Sequence, residues 1–192
     1  MPSPIGHVVA GTAIAWASEV RPAGDDRISA GSLSAARLTV VCAAIATAPD
    51  LDLLFAAHRT YTHSVGATVL VAFAAAAVAA WARLPPLRMA LVCAAAHASH
   101  IVLDWLGSDT SWPYGLQALW PFSDRFYISG LNLFRETARR HFFSVGALRV
   151  NVVAAAQEIL ILGPLAWAAW SVRVKALAGL PPELPRGNHA TK

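Results

Sequence analysis

Charge is scarce in this chain. Only 14% of its 192 residues are Asp, Glu, Lys or Arg, against 56% hydrophobic. An ordinary water-soluble domain carries about a quarter charged residues, so this composition excludes one and suits a single helical membrane domain. Cysteine is nearly absent. Cys42 and Cys93 lie in different apolar stretches without CxxC spacing, which argues against a disulfide or thiolate metal role and leaves packing. The basic residues form no run interleaved with aromatics, so no nucleic-acid partner is expected. No Lys or Arg precedes the first apolar run. The positive n-region of a secretory signal is therefore missing, and that segment is read as retained.

What the chain does have is apolar segments, at residues 5–20, 38–57, 64–82, 87–106 and 148–172. Most approach the roughly 20 residues needed to cross hydrocarbon. Backbone groups in lipid must be satisfied within the segment, which requires helices. The expected fold class is therefore all-α: a polytopic helical membrane protein with about five transmembrane helices (four to five). An amphipathic surface helix is expected at residues 131–147, where Leu133, Phe134, Phe142 and Phe143 mix with Arg135, Arg139 and Arg140. Residues 1–175 form one domain, and 176–192 a Pro-rich tail expected to be disordered. Lys and Arg are in slight excess around residues 21–37, 83–88 and 173–192. The positive-inside rule puts those in the cytoplasm and the opposite face outside.

The remaining ionisable groups collect at that opposite face. His7 starts the first segment, Asp50 and Asp52 end the second, His58 and His63 lie in the turn to the third, and His100 and Asp104 end the fourth. Alternating helices bring all of these to one side of the membrane, with Glu158 about three turns into the last segment. His100 and Asp104 are four apart and share a helix face, with His97 one turn deeper. Pro49 loosens the backbone before Asp50 and Asp52, so both can point the same way. Imidazole with carboxylate suits zinc, manganese or iron better than calcium. The absence of thiolates favours an open catalytic site over a closed structural one. The predicted metal ligands are His7, Asp50, Asp52, His58, His63, His100 and Asp104.

Each residue also has a plainer reading. Asp50 suits an ordinary turn, Ser64 a helix N-cap, Arg59 a membrane flank and His97 packing. Trp112, Trp120 and Phe122 suit an interfacial belt, and Glu158 beside Gln157 suits helix packing. Their convergence on one face is what favours a metal site.

Residues 3–7 (Ser-Pro-Ile-Gly-His), 49–52 (Pro-Asp-Leu-Asp), 58–64 (His-Arg-Thr-Tyr-Thr-His-Ser), 99–104 (Ser-His-Ile-Val-Leu-Asp) and 114–122 (Tyr-Gly-Leu-Gln-Ala-Leu-Trp-Pro-Phe) follow one another in order. This succession resembles the membrane-bound metal-dependent hydrolase family, also called YdjM-like or LexA-binding, inner-membrane-associated. The resemblance implies a bacterial inner-membrane protein with a divalent metal ion, zinc first. A more distant similarity links His-x-x-x-Asp and the scattered His residues to zinc-dependent phospholipase C and P1-type nucleases, although the amino-terminal Trp ligand of that group is absent here.

The expected activity is metal-assisted hydrolysis of a phosphoester or lipid head group at the membrane surface. Asp52 or Glu158 would act as general base, and Arg59 would hold the anion. The expected partners are membrane lipids and a small-molecule or lipid-linked substrate. Two other classes use the same residues: an ion- or proton-coupled transport or relay protein, and a binding or assembly protein without catalysis.

Overall fold

The computed structural model describes residues 1–19, 33–55, 58–138 and 143–178. Their regular structure is helical: α1 (Pro4–Ser18), α2 (Ala35–Thr47), α3 (Val65–Trp81), α4 (Pro86–Leu106) and α5 (Val145–Ala178). Short 3₁₀ segments, Ala48–Phe55 and Tyr61–His63, join α2 to α3. The described residues form no strand. Two isolated bridges, Gly107 to Phe134 and Leu116 to Tyr127, tie the segment between α4 and α5.

Local chemistry sets the helix ends. The hydroxyls of Ser3, Ser34 and Ser64 cap α1, α2 and α3 by accepting from the backbone N–H of Ile5, Arg37 and Ala67. Pro residues open α1 and α4, where no intrahelical N–H is needed. Helix α2 stops just before Pro49, and the chain tightens into the 3₁₀ segment. These ends place the start of α1, the end of α2, the start of α3 and the end of α4 around one site.

Small residues let the helices approach. Helix α1 buries Gly6, His7, Gly11 and Ala15, and α2 buries Leu38, Cys42 and Ala46. A Cβ on Gly11 would lie 2.5 Å from the Cys42 carbonyl oxygen and 2.8 Å from the Ala46 methyl. This is the small-residue contact by which helices associate where the surrounding solvent is as apolar as their side chains. Helix α1 also packs on α4 and α5, and α3 packs on α4. Away from the site, Ala15, Leu38, Cys42, Val92 and Ala96 form an apolar core. The outside is apolar too: Leu70, Phe73, Val78 and Trp81 of α3 and Leu160, Leu165 and Trp167 of α5 are exposed.

Two expectations are corrected. Helices α4 and α5 are long and apolar enough to cross a membrane, rather than four or five. Helices α1, α2 and α3 have 15, 13 and 17 residues, and at ~1.5 Å per residue each falls short of a hydrocarbon core of ~30 Å. The second correction concerns the surface helix. Residues 131–138 are irregular rather than helical. Phe134 is 1% exposed and packs with Leu103 and Leu162. Side-chain amides of α5 satisfy this backbone. Gln157 accepts from Arg135 N–H and donates to the Leu133 carbonyl, and Asn151 does the same for Ala138. Arg139, Arg140 and Phe142, and tail residues 179–192, lie outside the described residues.

Gly11→Ala should force α1 off α2 and cost about 1–3 kcal/mol, read as a lower thermal midpoint in detergent. Gly146→Ala, whose added Cβ would meet nothing within 4 Å, should leave the midpoint in place.

Candidate metal centre

The end of α4 supplies His100 and Asp104 on one face, both buried. The His100 Nδ1–H donates to the Ala46 carbonyl at the end of α2, 2.7 Å away. A carbonyl only accepts, so this bond fixes the tautomer and leaves the Nε2 lone pair free. That Nε2 lies 3.3 Å from Asp104 Oδ2 and 3.8 Å from Asp50 Oδ1. His63, brought in by the turn before α3, puts its Nε2 3.5 Å from the same Asp104 oxygen and 3.8 Å from the same Asp50 oxygen. His7 of α1 stacks on His100, with ring centroids 3.7 Å apart. Its Nε2 lies 3.5 Å from Asp104 Oδ1.

These atoms face one another without bonding. The Nε2 atoms of His7, His63 and His100 and both oxygens of Asp104 are buried with no hydrogen-bond partner. Native interiors rarely leave such atoms unmatched unless something binds them. Zinc bonds of about 2.0–2.1 Å place tetrahedral ligands about 3.3–3.4 Å apart, close to the spacings found here. The donors His7, His100 and Asp104, and Asp50, His63 and His100, form overlapping groups able to hold an ion. The residues therefore fit a divalent metal, and nitrogen with carboxylate suits zinc, manganese or iron.

Asp52 and His58 stand one step back. Asp52 accepts from the Thr62 hydroxyl at 2.6 Å and from the Arg59 backbone N–H at 3.2 Å, and the same oxygen lies 3.1 Å from His63 Nδ1, which also meets the Thr62 hydroxyl at 3.0 Å. His58 Nδ1 lies 2.7 Å from the other Asp52 oxygen. Asp52, His58 and His63 form a third group of possible donors, but their contacts have hydrogen-bond lengths rather than ligand–ligand spacings. A carboxylate behind a ligating imidazole is the usual orienting arrangement. Burial by itself would lower the pKa of His63. The Asp50 and Asp52 carboxylates outweigh it and raise that pKa to about 9. Burial alone would raise the pKa of Asp50 and Asp52, yet both are held below the ordinary range by neighbouring imidazoles. The metal-free cluster thus carries a proton on His63, which a bound cation would displace.

The predicted residues Glu158 and Arg59 lie elsewhere, as does His97. Glu158 is fully buried, but its carboxylate accepts from Ser3 N–H at 2.7 Å, from Gly6 N–H at 2.9 Å and from the Ser3 hydroxyl. It neutralises the amino-terminal end of α1 and so positions His7 one residue later. The Arg59 guanidinium pairs with Asp109 and donates to the Ser111 carbonyl. Its backbone sits at φ 69°, with its carbonyl bonded to Gln117 N–H. Arg59 is therefore engaged by the segment after α4 instead of pointing at the ring nitrogens. His97 bonds Thr68 of α3 at 2.9 Å and joins α3 to α4. Sequence reading missed the Ala46 carbonyl, Asp109 and Ser3. Ser3 carried a signal, as the head of the 3–7 motif.

Among comparisons with known proteins, residues 1–179 match the family model described as YdjM inner membrane protein. No curated protein and no solved structure matches the chain.

His100→Ala and Asp104→Ala should each abolish metal retention, measured as bound metal per chain after purification. Asp52→Asn should keep the metal but weaken affinity roughly 10–100-fold, read by chelator competition. Glu158→Ala leaves two backbone donors unpaired and should cost about 1–3 kcal/mol of stability, read as a lower thermal midpoint.

Proposed function

The chain belongs to the YdjM inner membrane protein family, and from that premise we propose that it is a metal-dependent hydrolase. It acts on a phosphoester or lipid head group at the membrane surface. The observation that carries this reading is the set of five buried, unpartnered donor atoms from His7, His63, His100 and Asp104, facing one another beside Asp50. A structural metal would need no route to solvent or substrate. Here Asp50 is the most exposed member of the set, at 19% of its side chain, and it forms part of the wall of an adjoining cleft.

The roles divide as follows. His7, His63, His100 and Asp104 would hold a divalent metal, zinc first. The ion supplies Lewis acidity toward water and toward a phosphoryl oxygen. Asp50 faces the opening and is the carboxylate best placed to take a proton from water. Asp52 and the Ala46 carbonyl orient His63 and His100 with Nε2 inward. Glu158 anchors the turn that carries His7, and Arg59 holds the loop after α4 against the site. Glu158 and Arg59 are therefore positioning residues, not general base and anion clamp. The site face is extracytoplasmic, as the slight bias of basic residues to the opposite side suggests.

The test is turnover by the purified protein in detergent on a panel of phosphomonoesters and phosphodiesters. Hydrolysis should vanish on chelation, return with zinc or manganese, and be lost in His63→Ala. Asp50→Asn should retain metal and lose about 10²–10⁴-fold in rate. Full turnover by the chelated protein would overturn the proposal, as would a metal-loaded protein inert on every ester tested.

A further inference from the structure

A cleft of ≈ 690 Å³ adjoins the metal cluster. Pro2 and Ile5 at the start of α1 line its floor. Ala44, Ala48 and Leu53 line one side, and Ala155 of α5 the other. Its volume falls in the range of small-molecule sites, roughly 300–1,000 Å³. The surface it presents is mostly apolar, with Ser3, Thr47, Thr137 and Asn151 also on its wall, and its single ionisable group is Asp50, the carboxylate whose oxygen lies 3.8 Å from both His63 Nε2 and His100 Nε2.

Position decides the occupant. Helix α1 packs between α2 and α5, and the cleft is the space those two flank over its first turn. Ala155 lies ten residues into α5, hence ~15 Å along a helix able to span the membrane. Neighbouring α5 side chains Val152, Val153, Ile159 and Leu160 are exposed and apolar. In a protein of the inner membrane, these exposed apolar side chains beside the cleft turn its open side toward hydrocarbon. An uncharged groove that begins in hydrocarbon and ends at a carboxylate beside a metal site matches a molecule with an apolar tail and an anionic head.

We propose that this cleft is the subsite for one linear acyl chain of a membrane lipid, seated so that its phosphorylated head group meets the His7, His63, His100, Asp104 centre. The proposal rests on the hydrolase reading for the head group alone. The chain subsite stands or falls on the cleft.

The test uses non-hydrolysable probes on the zinc-loaded protein in detergent: butyl-, octyl- and dodecylphosphonate, with binding followed by calorimetry. Wild-type affinity should rise with chain length, about fourfold per methylene buried, until the groove is full. Ala44→Phe and Ala155→Phe fill it from opposite walls. Both should bind butylphosphonate as wild type does and lose the gain from longer chains. Zinc content equal to wild type certifies that each variant is folded. If either variant loses zinc, a dodecylphosphonate with a chain-terminal diazirine replaces it, and labelling of α2 or α5 around the cleft is expected in the wild type. In His100→Ala, loss of butylphosphonate binding with a surviving chain-length gradient would support both the centre and the groove. Unchanged butylphosphonate binding in that variant would count against the metal centre while leaving the groove intact. An undiminished gradient in both Phe variants would overturn the acyl-chain subsite, as would labelling confined to the outer faces of α3 and α5. So would a change of oligomeric state in both Phe variants with the gradient intact, since the cleft would then seat a second copy.

Discussion

A carboxylate buried away from water is tolerable only when its charge is matched, and Asp104 poses that problem in its sharpest form. It is 1% exposed, and neither of its oxygens accepts a hydrogen bond. Around it stand imidazole nitrogens that are equally unpartnered. Moving an unmatched ion into a low-dielectric interior costs several kcal/mol even after relaxation. The proton on His63 offsets part of that charge in the metal-free cluster, and a divalent cation held by these donors would supply the rest. The bundle around the site is organised to make that exchange possible: the contact of Gly11 with α2 draws α1 inward, and the stacking of His7 on His100 follows from it.

Around that set runs a second layer with a different task. His100 is fixed by a backbone carbonyl, His63 by Asp52, and Asp52 in turn by Thr62, His58 and the Arg59 N–H. These contacts orient the rings, so the inward Nε2 atoms do not depend on a bound ion to place them. His7 differs: neither of its nitrogens has a hydrogen-bond partner. Its ring is held instead by stacking on His100 and by the position of α1, which Glu158 secures through Ser3 and Gly6. The carboxylate that looked catalytic by its depth therefore contributes through helix placement.

How much could be read beforehand follows from the range of each interaction. The four-residue spacing of His100 and Asp104 is local, and it alone sets a shared helix face. The convergence of His7, Asp50 and His63 on them needed only helices that alternate in direction. It survived the finding that α1, α2 and α3 are too short to cross by themselves. The partners of Glu158 and Arg59 could not be read because they are remote. Ser3 is 155 residues from Glu158 and Asp109 is 50 from Arg59, and no pattern in either neighbourhood names them. The expected surface helix failed for a related reason. Its apolar and basic spacing was real, but Asn151 and Gln157 of α5 bind its backbone directly, which removes the need for helical hydrogen bonds, and Phe134 turns into the core.

The relay reading can be weighed on the same ground. Carrying protons or ions across the membrane requires polar groups beyond the cluster, toward the opposite ends of the helices. The next such group inward is His97, and its Nδ1 faces the Thr68 hydroxyl of α3. Past it, the described interior is Ala15, Leu38, Cys42, Val92 and Ala96, with Ile14, Ile45 and Met89 packed against them. These side chains offer no chain of donors and acceptors, and their close packing leaves a proton no partner to move between. Asp50, by contrast, opens sideways into an apolar cleft at the face of the cluster. A site closed below among the described residues and open to one side has the geometry of a place where a molecule arrives and leaves by the same route, which favours the proposed hydrolysis over transport.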